Sequence, residues 1–257
     1  MGFGDFRERM MAGEPLAGTF VKTPAYEVVE VLAQSALDFI CLDAEHAPFD
    51  RARLDACLAV ARALDFPTLV RIDAAVPHAA LQALDSGAVG IVVPHVDTPQ
   101  KAEEVARMSR FGEGGRGYAG SSRWAGFATR DMATLLAKSR EETMVVAQIE
   151  EPAGVAQAAD IAATDGIDGL FLGPADLTVA FGKTTQDSPE LAEAYASVGR
   201  AATAAGKAYM TFAASAADVP RLRAFGITAF FLASEHSWMR ARATEEATAV
   251  HRLSASG

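Results

Sequence analysis

Apolar residues in this chain fall into short unbroken runs, separated by longer stretches where they recur at helical spacing. The unbroken runs are Leu16–Val21, Phe39–Asp43, Thr68–Ile72, Val89–Pro94, Met144–Ile149, Leu170–Leu172, Ala208–Phe212 and Thr228–Leu232. A run with no polar alternation predicts a strand buried on both faces, as a parallel sheet requires. The stretches around them predict helices at Phe3–Met11, Pro24–Gln34, Ala52–Leu64, His78–Ser86, Thr98–Arg110, Asp131–Arg140, Pro152–Ala163, Leu191–Ala205, Asp218–Phe225 and Trp238–Leu253. Local signals agree with these bounds. Asp50 and Thr98 stand where N-caps belong, and Gly87, Gly206 and Gly226 close the helices before them.

Eight strands, each followed by a helix, predict an α/β fold: a single (β/α)8 TIM barrel spanning residues 1–257. The last stretch adds an extra C-terminal helix. An open doubly wound sheet would want G-x-G-x-x-G directly after the first strand, and none is there; the glycines from Gly112 to Gly120 follow a helix instead. Only residues 111–130 break the rhythm, and a segment of that length predicts a lid or binding loop.

Composition narrows the function. With 257 residues and 50% apolar content the chain can bury a large core, yet no apolar run is long enough to span a bilayer. The start, M-G-F-G-D-F-R-E-R-M-M, lacks the basic-then-apolar design of a leader. Cys41 and Cys57 fall inside a strand and a helix, which predicts buried thiols in a reducing cytoplasm rather than a disulfide. A formal charge of −10 argues against nucleic acid or an anionic membrane as partner. A small anionic substrate would need local arginines or a metal.

A barrel turns position into chemistry, because its active site forms at the carboxyl ends of the strands. The residues there are Asp43, Glu45, His46, Arg71, His95, Gln148, Glu150, Asp176, Glu235 and His236. Glu150 and Asp176 follow adjacent strands of one βαβ unit, so their carboxylates converge on one face. Such a pair suits a hard divalent cation that keeps positions open for substrate; it would equally serve to cap the helices that follow. Arg71 ends an apolar strand and needs an anion, either a structural carboxylate or a substrate. His46, in a Glu-His-Ala-Pro turn, reads as a surface residue or as an acid/base. Lys22, Lys101, Lys138, Lys183 and Lys207 all lie outside the middle of a strand, which argues against Schiff-base chemistry.

The segments D-F-I-C-L-D-A-E-H-A-P-F-D, V-V-P-H-V-D-T, G-R-G-Y-A-G-S-S-R-W, Q-I-E-E-P-A-G-V and D-G-L-F-L-G-P-A-D-L resemble the class II pyruvate aldolases of the HpcH/HpaI aldolase family. The resemblance covers nearly the whole chain. It implies a metal-dependent carbon–carbon lyase that cleaves a 4-hydroxy-2-oxo acid to pyruvate, or a close analogue such as hydroxypyruvate, plus an aldehyde. By the same resemblance Glu150 and Asp176 match the ligands of Mg²⁺, Mn²⁺ or Co²⁺, and Arg71 the residue that stabilises the enolate. His46 matches the acid/base, and Asp85 its partner. Gln148, Gly173 and Ala175 match positions that contact the keto acid. A homohexamer of three dimers that exchange their last helices is implied too. Ala44, Phe49 and the Pro94-His95 pair depart from the more usual Gly, Asn and Pro-Met, and these differences surround the pocket. Two rival readings stand beside it: a lyase acting on a citryl- or malyl-type CoA thioester, and a metabolite-binding barrel without activity.

Overall fold

The computed structural model describes residues 2–254; residue 1 and residues 255–257 of the predicted span lie outside it. Eight parallel strands pair in chain order and close on themselves: β1 (Leu16–Val21), β2 (Phe39–Asp43), β3 (Thr68–Arg71), β4 (Gly90–Val93), β5 (Met144–Ile149), β6 (Gly169–Leu172), β7 (Ala208–Ala213) and β8 (Ala229–Ser234). Around them run α1 (Phe3–Met11), α2 (Tyr26–Ala33), α3 (Arg51–Ala63), α4 (Pro77–Ser86), α5 (Pro99–Ser109), α6 (Met132–Glu142), α7 (Pro152–Ala156), α8 (Ala158–Ala163), α9 (Pro174–Ala180), α10 (Pro189–Ala204), α11 (Val219–Arg223) and α12 (Glu235–Ser254). The fold is a (β/α)8 barrel with an extra C-terminal helix. Capping follows the local chemistry: the side chains of Asp50 and Thr98 accept from the backbone at Arg53 and Lys101, and Gly87 takes the left-handed conformation that ends α4.

The barrel is filled with aromatic rings. Phe20, Phe39, Phe171 and Phe231 come from β1, β2, β6 and β8, yet their centroids lie 4.9–6.0 Å apart across the interior. Gly18 makes this possible, because a Cβ there would run into the ring of Phe39. Strand periodicity then carries the same inward face up to the carboxyl rim. Above Gly18 and Phe20 stands Lys22; above Phe39 and Cys41 stands Asp43, paired in register with Arg71. The guanidinium of Arg71 lies 4.4 Å from the centre of the Phe20 ring, so the aromatic plug is the floor of the polar site.

Three elements differ from the sequence pattern. The helix expected over Pro152–Ala163 breaks at Gln157 into α7 and α8. α9 follows β6 immediately and went unpredicted, because Gly173-Pro174 reads as a turn; proline is also well suited to the first position of a helix. The last helix starts at Glu235, directly at the end of β8. The 111–130 segment sits against the end of α4, where the Trp124 N–H donates to the Asp85 carbonyl at 3.1 Å, and none of its residues lines the cavity described next.

Candidate active site

The site grows from Asp43, which is wholly buried at the end of β2. Arg71 grips it with both ends of its fork, Nε to Oδ1 at 3.0 Å and Nη2 to Oδ2 at 2.8 Å. Lys22 Nζ adds a third contact, 2.8 Å from Oδ2. Burial raises the pKa of such a carboxyl; here the Arg71 and Lys22 charges outweigh it and hold Asp43 below the usual range. Arg71 therefore has the structural carboxylate that its position demanded, and it still faces the cavity. Its Nε is also 3.2 Å from Glu45 Oε2. Burial pushes the Glu45 carboxyl up, with the charges of Glu150 and Asp43 adding to it against those of Arg71 and His46.

Glu150 forms the second centre. Oε1 accepts from the backbone N–H of His95 at 2.8 Å, and Oε2 accepts from the side-chain amide of Gln148. These bonds reach β4 and β5 rather than the start of α7, whose N-cap is Glu151, so Glu150 is no helix cap. Gly173 is shaped by the same carboxylate: a Cβ there would lie 2.8 Å from Glu150 Cβ and 3.2 Å from Oε2. Glu235 is spent on structure, since its Oε1 accepts from the backbone of Lys22 and Thr23 at 2.8 and 2.6 Å. His236 bonds Thr23 Oγ1 at 2.8 Å.

A cavity of about 390 Å³ opens over these groups. Its wall includes Lys22, His46, Arg71, Gln148, Gly173, Ala175 and Asp176, with Phe20 and Phe171 below. Of the residues that the family resemblance marks, Glu150 and Asp85 are absent from that wall, as are the rim residues Asp43, Glu45, His95, Glu235 and His236. Glu150 lies directly behind Gly173 and Gln148. Asp85 is elsewhere: its Oδ1 binds Arg116 Nη2 at 2.5 Å, at the end of α4. In a barrel that end belongs to the face opposite the His46 loop, so one chain does not bring the two together.

The residues fit a divalent cation. Among the described residues Glu45, His95 and Glu150 each offer a ligand atom, and these lie within 4.8 Å of one another. Gln148 Oε1 and Glu45 Oε2 are buried and accept no hydrogen bond. Asp176 stands outside that trio, in the first turn of α9 on the cavity wall.

These features define a (β/α)8-barrel enzyme with a polar site at the carboxyl rim. A family model described as HpcH/HpaI aldolase/citrate lyase matches residues 16–240. The chain belongs to that family and is a lyase of the aldolase type. It is 30% identical over 249 residues to the hydroxypyruvate/pyruvate aldolase of Paraburkholderia phytofirmans, covering 94% of this chain and 95% of that one. The 5-keto-4-deoxy-D-glucarate aldolase of Shigella dysenteriae serotype 1 is 34% identical over 201 residues, 77% and 78% of the two chains. The crystal structure of an HpcH/HpaI aldolase/citrate lyase family protein from Burkholderia cenocepacia J2315 superposes with a TM-score of 0.89 at 32% identity, covering 97% and 99%.

Lys22, Glu45 and His95 join the site through contacts that no local pattern announces. Lys22 lies outside a strand. The informative signal was its place as the first residue beyond β1, the same rim position that singles out the others.

Proposed function

We propose that this protein reversibly cleaves a 4-hydroxy-2-oxo acid to pyruvate, or a close analogue such as hydroxypyruvate, and an aldehyde, using a divalent metal held by Glu150 and Asp176. One observation carries the reading: His46, Arg71, Gln148, Gly173, Ala175 and Asp176 share one cavity with Glu150 immediately behind it. When bound, the metal supplies positive charge against the keto and carboxylate oxygens. The amides of Ala175 and Asp176 belong to the first turn of α9, where N–H groups lack intrahelical partners, and they face the substrate carboxylate. Gln148 orients the keto acid through the amide N–H that is not given to Glu150. His46, half exposed at the mouth and with Nε2 3.7 Å from Glu45 Oε2, takes the proton of the 4-hydroxyl as the C3–C4 bond breaks. The bonding pair passes to the pyruvyl fragment as an enolate, whose charge faces Arg71. Protonation of its methylene carbon completes pyruvate.

The thioester reading is weaker. CoA phosphates want free cations, whereas the cavity's Lys22 and Arg71 are both committed to Asp43. Chelator-treated protein should lose cleavage of 4-hydroxy-2-oxo acids and recover it with Mg²⁺, Mn²⁺ or Co²⁺. Full activity without metal would overturn the proposal.

A further inference from the structure

His95 lies two residues beyond β4 with φ 55°, a left-handed conformation that non-glycine residues seldom adopt. Its own backbone is tied on both sides. The N–H donates to Glu150 Oε1 at 2.8 Å, and the carbonyl accepts from Lys101 Nζ at 3.2 Å. The imidazole is thereby held over the acidic half of the rim. Nδ1 lies 3.0 Å from Glu151 Oε1 and 3.3 Å from Glu150 Oε1, while Nε2 lies 3.9 Å from Glu45 Oε1.

Charge at this rim is unbalanced. Asp43 absorbs Lys22 and Arg71, and Lys101 pairs with Asp97, so among the described residues His95 is the one basic side chain paired with Glu150 and Glu151. A second observation is independent of charge: Gln148 is 1% exposed, yet its Oε1 has no partner although its amide is bonded to Glu150. A buried acceptor of this kind calls for a ligand.

We propose that His95 is an imidazole ligand of the divalent cation at Glu150, acting through Nε2, so that the site prefers a borderline ion such as Co²⁺ to Mg²⁺. This rests on the metal-dependent reading above. In the Nδ1–H tautomer, which the 3.0 Å contact with the Glu151 carboxylate favours, the Nε2 lone pair is free and the ring is fixed, as outer-shell carboxylates fix metal-bound histidines. Replacing an oxygen donor by imidazole moves the site away from the all-oxygen set that magnesium requires.

The test uses full-length protein stripped of metal. Pulsed EPR of the Mn²⁺-loaded protein should show imidazole nitrogen modulation that persists in His46→Ala and vanishes in His95→Met. By calorimetry, His95→Met should weaken Co²⁺ binding about tenfold or more and Mg²⁺ binding by less than about threefold. Glu151→Gln, which leaves His95 in place, should weaken Co²⁺ in the same sense. Bound Mn²⁺ without nitrogen modulation in the wild type would overturn the proposal whatever the variants do, as would equal losses for Co²⁺ and Mg²⁺. Failure of the wild type to bind any of these ions would remove the metal-dependent reading as well, so the two failures are distinguishable.

Discussion

Asp43 is where the charges of β1, β2 and β3 meet. Its folded pKa is depressed below the unfolded value of about 3.9, so its contribution to stability is complete above that value and disappears as pH falls through the lower folded one. Asp43→Asn leaves two cations facing a neutral amide and should cost ~3–5 kcal/mol at pH 7. Denaturant unfolding of both proteins from pH 7 to 2 should show the gap closing only below about pH 4. A pH-independent gap would mean packing, not charge, is lost. Arg71 carries a functional expectation beside this structural one. Arg71→Ala should lower kcat by about 10² or more, equivalent to roughly 3 kcal/mol, for cleavage and for proton exchange at the pyruvate methyl. Wild-type exchange in that variant would give Arg71 another job.

At the scale of elements, the turn from β6 into α9 is set by how closely Glu150 approaches it. Gly173 has no room for a side chain against Glu150 Cβ, and it lies one residue beyond β6, which pairs with β5 from Gly169 to Leu172. Gly173→Ala should therefore reduce kcat/KM at least about tenfold by displacing the carboxylate, at a folding cost of only ~1–3 kcal/mol. Steady-state kinetics and thermal melting separate the two effects; a large drop in midpoint with unchanged kinetics would refute the assignment. α12 presents the opposite case. Beyond Glu235 its residues to Leu253 are exposed, including Met239 at 55% and Val250 at 61%, so this helix has no core of its own within one chain. Its exchange with a second copy is what the family resemblance implies, and we propose it for this chain.

The whole molecule raises the question of Asp85. In one chain it pairs with Arg116, which is itself packed over Phe111 and Trp124 at 4.5 and 5.2 Å, so the 111–130 segment holds this carboxylate at the surface of α4. If Asp85 orients His46, it does so from a neighbouring subunit, as in the hexamer of three dimers that the family resemblance implies. Mixing inactive His46→Ala and Asp85→Asn subunits under exchange conditions should regenerate intact sites and restore measurable cleavage. Mixed oligomers without recovered activity would count against an intersubunit pair.

Much of this was legible in the chain itself. β1, β2 and β5 have the very bounds that apolar runs predict, because burial on both strand faces writes a local pattern needing no partner to be recognised. The count and order of those runs identified the barrel, and the barrel placed Arg71, Gln148 and Glu150 on one rim. Which groups touch was decided only by closure. Arg71 and Asp43 are 28 residues apart, and His95 and Glu150 are 55 apart; strand register and barrel curvature bring them within a hydrogen bond. The role of Lys22 was decided the same way, since it depends on Asp43 across the β1–β2 pair. α9 likewise follows from packing against other elements, whereas the remoteness of Asp85 was already implied by its place in the last turn of the helix that leads into β4. Periodicity reports which face is buried, whereas the partner across that face is chosen by long-range geometry.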